Sequence, residues 1–130
     1  MKRQRMLANL SFQYDENWPG GSTIATIHSI NTDAKTYQVQ GITLKQILRE
    51  TGNVGLLKMD IEGAEHQLIS DAIKNKVLNQ IESMIMAVHG SNLNLTRLLQ
   101  TDGYSVVVLR TFSASLSLIS AIRENSPEFP

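Results

Sequence analysis

The sequence predicts an α/β fold organised on a parallel sheet, and three observations predict it. The run Val54 to Met59 is short and apolar, then ends abruptly in Asp60, Glu62 and Glu65 around Gly63. A second run, Ile81 to Val88, is equally apolar, and a segment of helical periodicity separates the two. A third run, Tyr104 to Arg110, follows another helical segment. Strands alternating with helices read as crossover units, and near-continuous apolar strands read as buried on both faces.

The elements follow in order. Residues 1–21 are mixed, include the turn-rich Trp18-Pro19-Gly20-Gly21, and are expected to be a loosely ordered segment. Ser22 to Ile30 and Thr36 to Gln40 are rich in β-branched residues and suggest two short strands, paired as a hairpin across Asn31 to Lys35. Thr43 and Gln46 have the spacing of a capping box, Leu44, Ile47 and Leu48 give one apolar face, and Gly52 marks the stop of a short helix. After the strand at 54–59, Leu68, Ile69 and Ala72 recur at helical spacing in a helix from about Ala64 to Ile73. Asn92 is placed to cap a helix that runs to about Gln100 with Leu95, Leu98 and Leu99 inside, and Asp102-Gly103 ends it. Leu116 to Ile122 is apolar at both strand-like and helix-like positions, so periodicity leaves its type open. The main domain is expected at 22–124, with a tail at 125–130.

Composition bounds the function. At 130 residues and 42% hydrophobic, the chain can bury a core as one modest domain. Twelve basic and twelve acidic residues cancel, which argues against a nucleic-acid or acidic-membrane partner; Lys2, Arg3 and Arg5 read as a solvated terminus. The absence of cysteine excludes a disulfide framework and a thiolate metal site, and fits a reducing compartment; the expectation is a cytoplasmic protein. The longest apolar region, Val106 to Ile122, is broken by Arg110 and several serines and does not read as a membrane span.

Asp60 leaves the carboxyl end of a strand, where open α/β sheets bind ligands, and is therefore a candidate functional residue. The competing reading makes Asp60 a helix cap, with Glu62 and Glu65 complementing the helix dipole. His89 ends the next strand on the same edge, followed by Gly90-Ser91, which suits proton exchange or a hydrogen bond to a substrate hydroxyl. His28 and His66 end no apolar strand and form no ligand pair, so they read as structural. Lys58 must pair or reach solvent, because an unpaired buried ammonium is costly.

Leu57-Lys58-Met59-Asp60-Ile61-Glu62-Gly63-Ala64-Glu65 resembles the LKxDxEGxE signature of FkbM-type S-adenosylmethionine-dependent methyltransferases, and Ile42 to Leu48 resembles the helix that precedes it. The resemblance spans roughly residues 20–110. It implies a partial Rossmann-like, class I methyltransferase-like three-layer fold whose final strand pairs antiparallel with the one at 104–110. It implies S-adenosylmethionine as cofactor and a small-molecule or glycan-type hydroxyl as acceptor. Asp60 and His89 become the catalytic candidates, since either could accept the hydroxyl proton. Glu62 and Glu65 become candidates for binding substrate or, with Asp60, a divalent cation; neither acid nor spacing specifies a metal site, so none is assigned.

Two departures qualify what is carried over. The family usually places Glu-x-His at the end of the next strand, whereas Ala87-Val88-His89 keeps only the histidine. The glycines at 20, 21, 41, 52, 55, 63, 90 and 103 never form Gly-x-Gly-x-x-Gly after an apolar strand, so cofactor-binding residues cannot be assigned. The chain is thus expected to correspond to the C-terminal half of such an enzyme, to bind the cofactor weakly or not at all, and to be inactive alone. The alternative is a non-catalytic α/β module that binds a ligand or partner. A sheet edge left without its neighbour would also favour self-association.

Overall fold

The computed structural model describes residues 35–124 and, as backbone strands, 9–14 and 23–24. The readings that fall on 1–8, 15–22, 25–34 and 125–130 lie outside the described residues. Residues 1–43 and 44–130 form two compact units.

The first unit carries a three-stranded antiparallel sheet. Its strands are β1 (Asn9–Tyr14), β2 (Thr23–Ile24) and β3 (Lys35–Gln40), in the order β2-β1-β3. Among the described residues, the second and third strands do not pair with each other as the expected hairpin requires. Both pair with β1, Phe12 facing Ile24 on one side and Tyr37 on the other. The sequence carries a reason: Asn9-Leu10-Ser11-Phe12-Gln13-Tyr14 alternates apolar and polar without a break, the period of a strand.

The second unit runs α1 (Leu44–Thr51), β4 (Val54–Met59), α2 (Glu65–Lys74), a 3₁₀ turn at Leu78–Gln80, β5 (Ile81–His89), α3 (Leu93–Thr101), β6 (Tyr104–Ser113) and β7 (Leu116–Arg123). Its sheet is ordered β4-β5-β7-β6. The adjacency of β4 and β5 is parallel, as expected of two strands joined by a helix, with Val54 opposite Ile81 and Met59 opposite Met86. The sheet as a whole is mixed, however. After α3, β6 runs in the direction of β5 but leaves one strand's space, and β7 folds back through Ala114-Ser115 to fill it, antiparallel to both neighbours. The ambiguous run at 116–122 is therefore a strand, its inward residues Ser117, Ile119 and Ala121 alternating with partly exposed ones.

One face of this sheet packs on helices. Ile69 and Ala72 of α2, Leu95 and Leu99 of α3, and Leu44 and Leu48 of α1 join Met59, Met84, Met86, Val88 and Ile119 in a single core. Each fully buried Leu, Ile or Met contributes about 1.5–3 kcal/mol, which is why two inward residues per helix suffice to dock it. Leu98, expected inside, is 38% exposed, and Ile47 is 39% exposed; both lie on the rim of their helical stripe. Gly52, with φ 72°, ends α1 and donates its N–H to the Leu48 carbonyl at 2.9 Å. Asn92 stands at the start of α3, but its amide reaches Ser117 Oγ at 2.9 Å instead of capping the helix. Lys58 is exposed, so its ammonium meets water. No helix among the described residues is long and apolar enough to cross a membrane.

Tyr104 ties the layers together. Its buried hydroxyl lies 2.7 Å from the Leu78 carbonyl and 2.6 Å from that of Ile81, so its one proton is shared between the two ends of the 3₁₀ turn. The Arg123 guanidinium covers the ring face at 4.3 Å and donates to the Asp102 carbonyl at 2.9 Å. Burial pushes the phenol above its ordinary range, partly offset by Arg123. A raised folded value means that the neutral phenol is favoured by folding, so its contribution is complete below about pH 10 and is lost as pH rises from there through the folded value. Tyr104→Phe is expected to lower stability by about 1–2 kcal/mol at neutral pH, read by urea unfolding, and to flatten the decline above about pH 10. An unchanged alkaline limb would assign that decline to another group.

Candidate functional site

The β4–β5 register builds the site. The last paired residues are Met59 and Met86, and β5 continues three residues further, to His89. The loop 60–64 that leaves β4 therefore runs alongside the part of β5 that extends beyond β4, and on that side His89 meets the loop rather than the strand. Two successive residues of the loop, Glu62 at φ 51° and Gly63 at φ 100°, adopt left-handed backbone. For a glutamate this costs on the order of 1 kcal/mol and persists only where its surroundings enforce it. Here the turn brings the Glu62 carboxylate to 3.3 Å from His89 Nε2.

Glu65 enforces it. It occupies the first turn of α2, one and two turns ahead of the buried Ile69 and Ala72, so helix geometry carries it into the core with no exposed surface. Its Oε2 accepts the Gly63 N–H at 3.0 Å, and its Oε1 accepts the His89 backbone N–H at 2.6 Å and lies 3.0 Å from His89 Nδ1. One buried carboxylate thus joins the loop after β4, the start of α2 and the end of β5. With Oε1 as the acceptor, His89 Nδ1–H is the donor and Nε2 faces outward. His66 Nε2, 2.9 Å from the His89 carbonyl, holds the same strand end from the next position of the helix.

Asp60, Glu62 and His89 then converge, each offering one ligand-type atom within 4.8 Å of the others. Asp60 is exposed, while Glu62 and His89 are half-buried, with side-chain exposures of 37% and 19%. The structure places both catalytic candidates and Glu62 on one surface and puts Glu65 behind them. Asp60 does not cap α2: the N-cap residue is Ala64, with no side-chain hydrogen bond, so the capping alternative falls. Sequence reasoning gave His66 no part and did not foresee Glu65 as the brace. The signal for Glu65 was its place on the 65-69-72 stripe, and for His66 its adjacency to that stripe. A shallow depression between α2 and α3, lined by Ile73, Asn94, Arg97, Leu98, Thr101 and Asp102, shares no residue with this cluster.

Comparisons with known proteins reach one family. No curated protein and no solved structure matches the chain. A family model described as the methyltransferase FkbM domain matches residues 7–108, starting ahead of the expected span and taking in β1. The match covers more than half of the sequence, through the loop that carries Asp60 and Glu62 and the strand that carries His89, and the chain belongs to the FkbM methyltransferase domain family.

Proposed function

We infer that this chain serves S-adenosylmethionine-dependent O-methyl transfer from the acceptor side, within a Rossmann-like fold, and that Asp60 and His89 receive the proton of a hydroxyl on a small-molecule or glycan acceptor. The observation that carries the reading is the oriented imidazole. His89 is held by Glu65 at Nδ1, so Nε2 faces the surface shared by Asp60 and Glu62. A group fixed in that way accepts a proton along one direction, and a hydroxyl set beside it becomes a better nucleophile as its proton leaves. Membership of the methyltransferase family supports the reaction class.

The methyl donor is a different matter. Donor binding in doubly wound folds relies on glycine-rich turns whose free backbone N–H groups face the ligand. The two glycines at the strand exits here are already engaged, Gly63 N–H by Glu65 and Gly90 N–H by the Ser115 carbonyl at 2.7 Å. The described residues do not by themselves fit the donor. The same observation favours a second reading, a non-catalytic binding module of this family.

Isothermal titration of S-adenosylmethionine into the chain is expected to give weak binding or none, and micromolar affinity would overturn that expectation. With the donor-binding part supplied, Asp60→Asn is expected to slow methyl transfer about a hundredfold or more with no change in melting temperature. Asparagine keeps the shape but cannot take the proton. Turnover within a few fold of the parent would remove Asp60 from the chemistry.

A further inference from the structure

We propose that Asp60, Glu62 and His89 form a divalent-cation site with Glu65 as its outer support. The site goes beyond the methyl-transfer reading: an ion on Nε2 would use the lone pair that reading gives to the acceptor proton, and the site rests on the geometry of the cluster. With Nδ1–H directed to the buried Glu65, the outward Nε2 is an acceptor, and the carboxylates that converge on it are acceptors too. A lone pair 3.3 Å from a carboxylate oxygen calls for positive charge between them, from a proton on Nε2 or from a bound cation. A metal ion supplies that charge and uses all three groups together.

The donor set has the form that such ions use. One neutral imidazole nitrogen and two carboxylate oxygens suit manganese, magnesium, iron or zinc, and the absence of thiolates disfavours softer ions. Ligand atoms on one ion at ~2.1 Å stand about 3–4 Å apart. The present spread, within 4.8 Å, closes by small rotations of the exposed Asp60 and half-exposed Glu62. The imidazole needs no such adjustment. A ligating histidine almost always directs its other ring N–H to a carboxylate or carbonyl, which fixes the tautomer and raises its basicity, and Glu65 does this from a position with no solvent exposure. The left-handed Glu62 fits the same purpose, since it carries the second carboxylate to the imidazole. The open side of the cluster, beside exposed Asp60, leaves coordination positions for water or for an oxygen of a bound molecule.

Manganese(II) titrated into the full chain, followed by the paramagnetic resonance signal of the free ion and by calorimetry, is expected to fill one site per chain. Asp60→Asn and His89→Gln should each weaken it at least tenfold, and Glu65→Gln by about ten- to a hundredfold. Glu82→Gln, at the other end of β5, should leave it unchanged. If His89→Gln or Glu65→Gln unfolds the chain, Asp60→Asn carries the test, because Asp60 is exposed and caps no helix; circular dichroism checks its fold. No saturable binding at millimolar manganese would overturn the site and leave a proton on the imidazole as the balancing charge. Binding that Asp60→Asn leaves intact would overturn it by placing the ion elsewhere.

Discussion

Everything at the candidate site depends on one buried carboxylate. Glu65 lies at the meeting of three segments that arrive from different directions, and it accepts a hydrogen from each of the two that are not its own helix. Desolvating a carboxylate is expensive, and only such donors make it tolerable. The cost runs both ways. Without the carboxylate, the Gly63 and His89 N–H groups would lose their acceptor, at about 1–3 kcal/mol for each donor left buried and unmatched. The loop, the helix start and the strand end are therefore one mechanical piece, and the left-handed Glu62 is sustained by it.

This arrangement sets the candidate site directly against the core, with Glu65 shared between them. Met59, Met86 and Val88 hold the strand exits from beneath, and Ile69 holds α2. Glu65 belongs to that layer by position and to the site by chemistry. The residues above it, Asp60 and Glu62, keep solvent exposure, so they can change partners without disturbing the packing.

What the sequence disclosed follows the range of the interactions involved. Elements defined by local signals were legible: α1 by its Thr43–Gln46 spacing and Gly52, β4 by its apolar run, α3 by its end at Gly103. The pairing of β4 with β5 was legible because a single helix joins them. Long-range choices were not. Nothing local says that β7 slips between β5 and β6, since its alternation would suit either side of its hairpin partner. β1 was overlooked because its alternation is embedded in a polar stretch, although Leu10, Phe12 and Tyr14 keep strict period. At the site, Asp60 and His89 were visible as strand exits, whereas the part played by Glu65 and His66 depends on the strand end that they touch 24 and 23 residues away.

The two ends of the larger sheet are unlike each other. β6 is broken by register shifts at Val108/Arg110 and Thr111/Ser113, and Arg110 stacks its charge over Phe112 at 5.0 Å. Bulges and charge of this sort spoil the straight ladder that a foreign strand would need. β4 is regular, with an exposed glycine at 55 and Leu56 more than half exposed. Among the described residues the sheet is therefore polar across its width: β4 keeps a regular ladder next to the residues that lead into Asp60, and β6 is blunted at the opposite side.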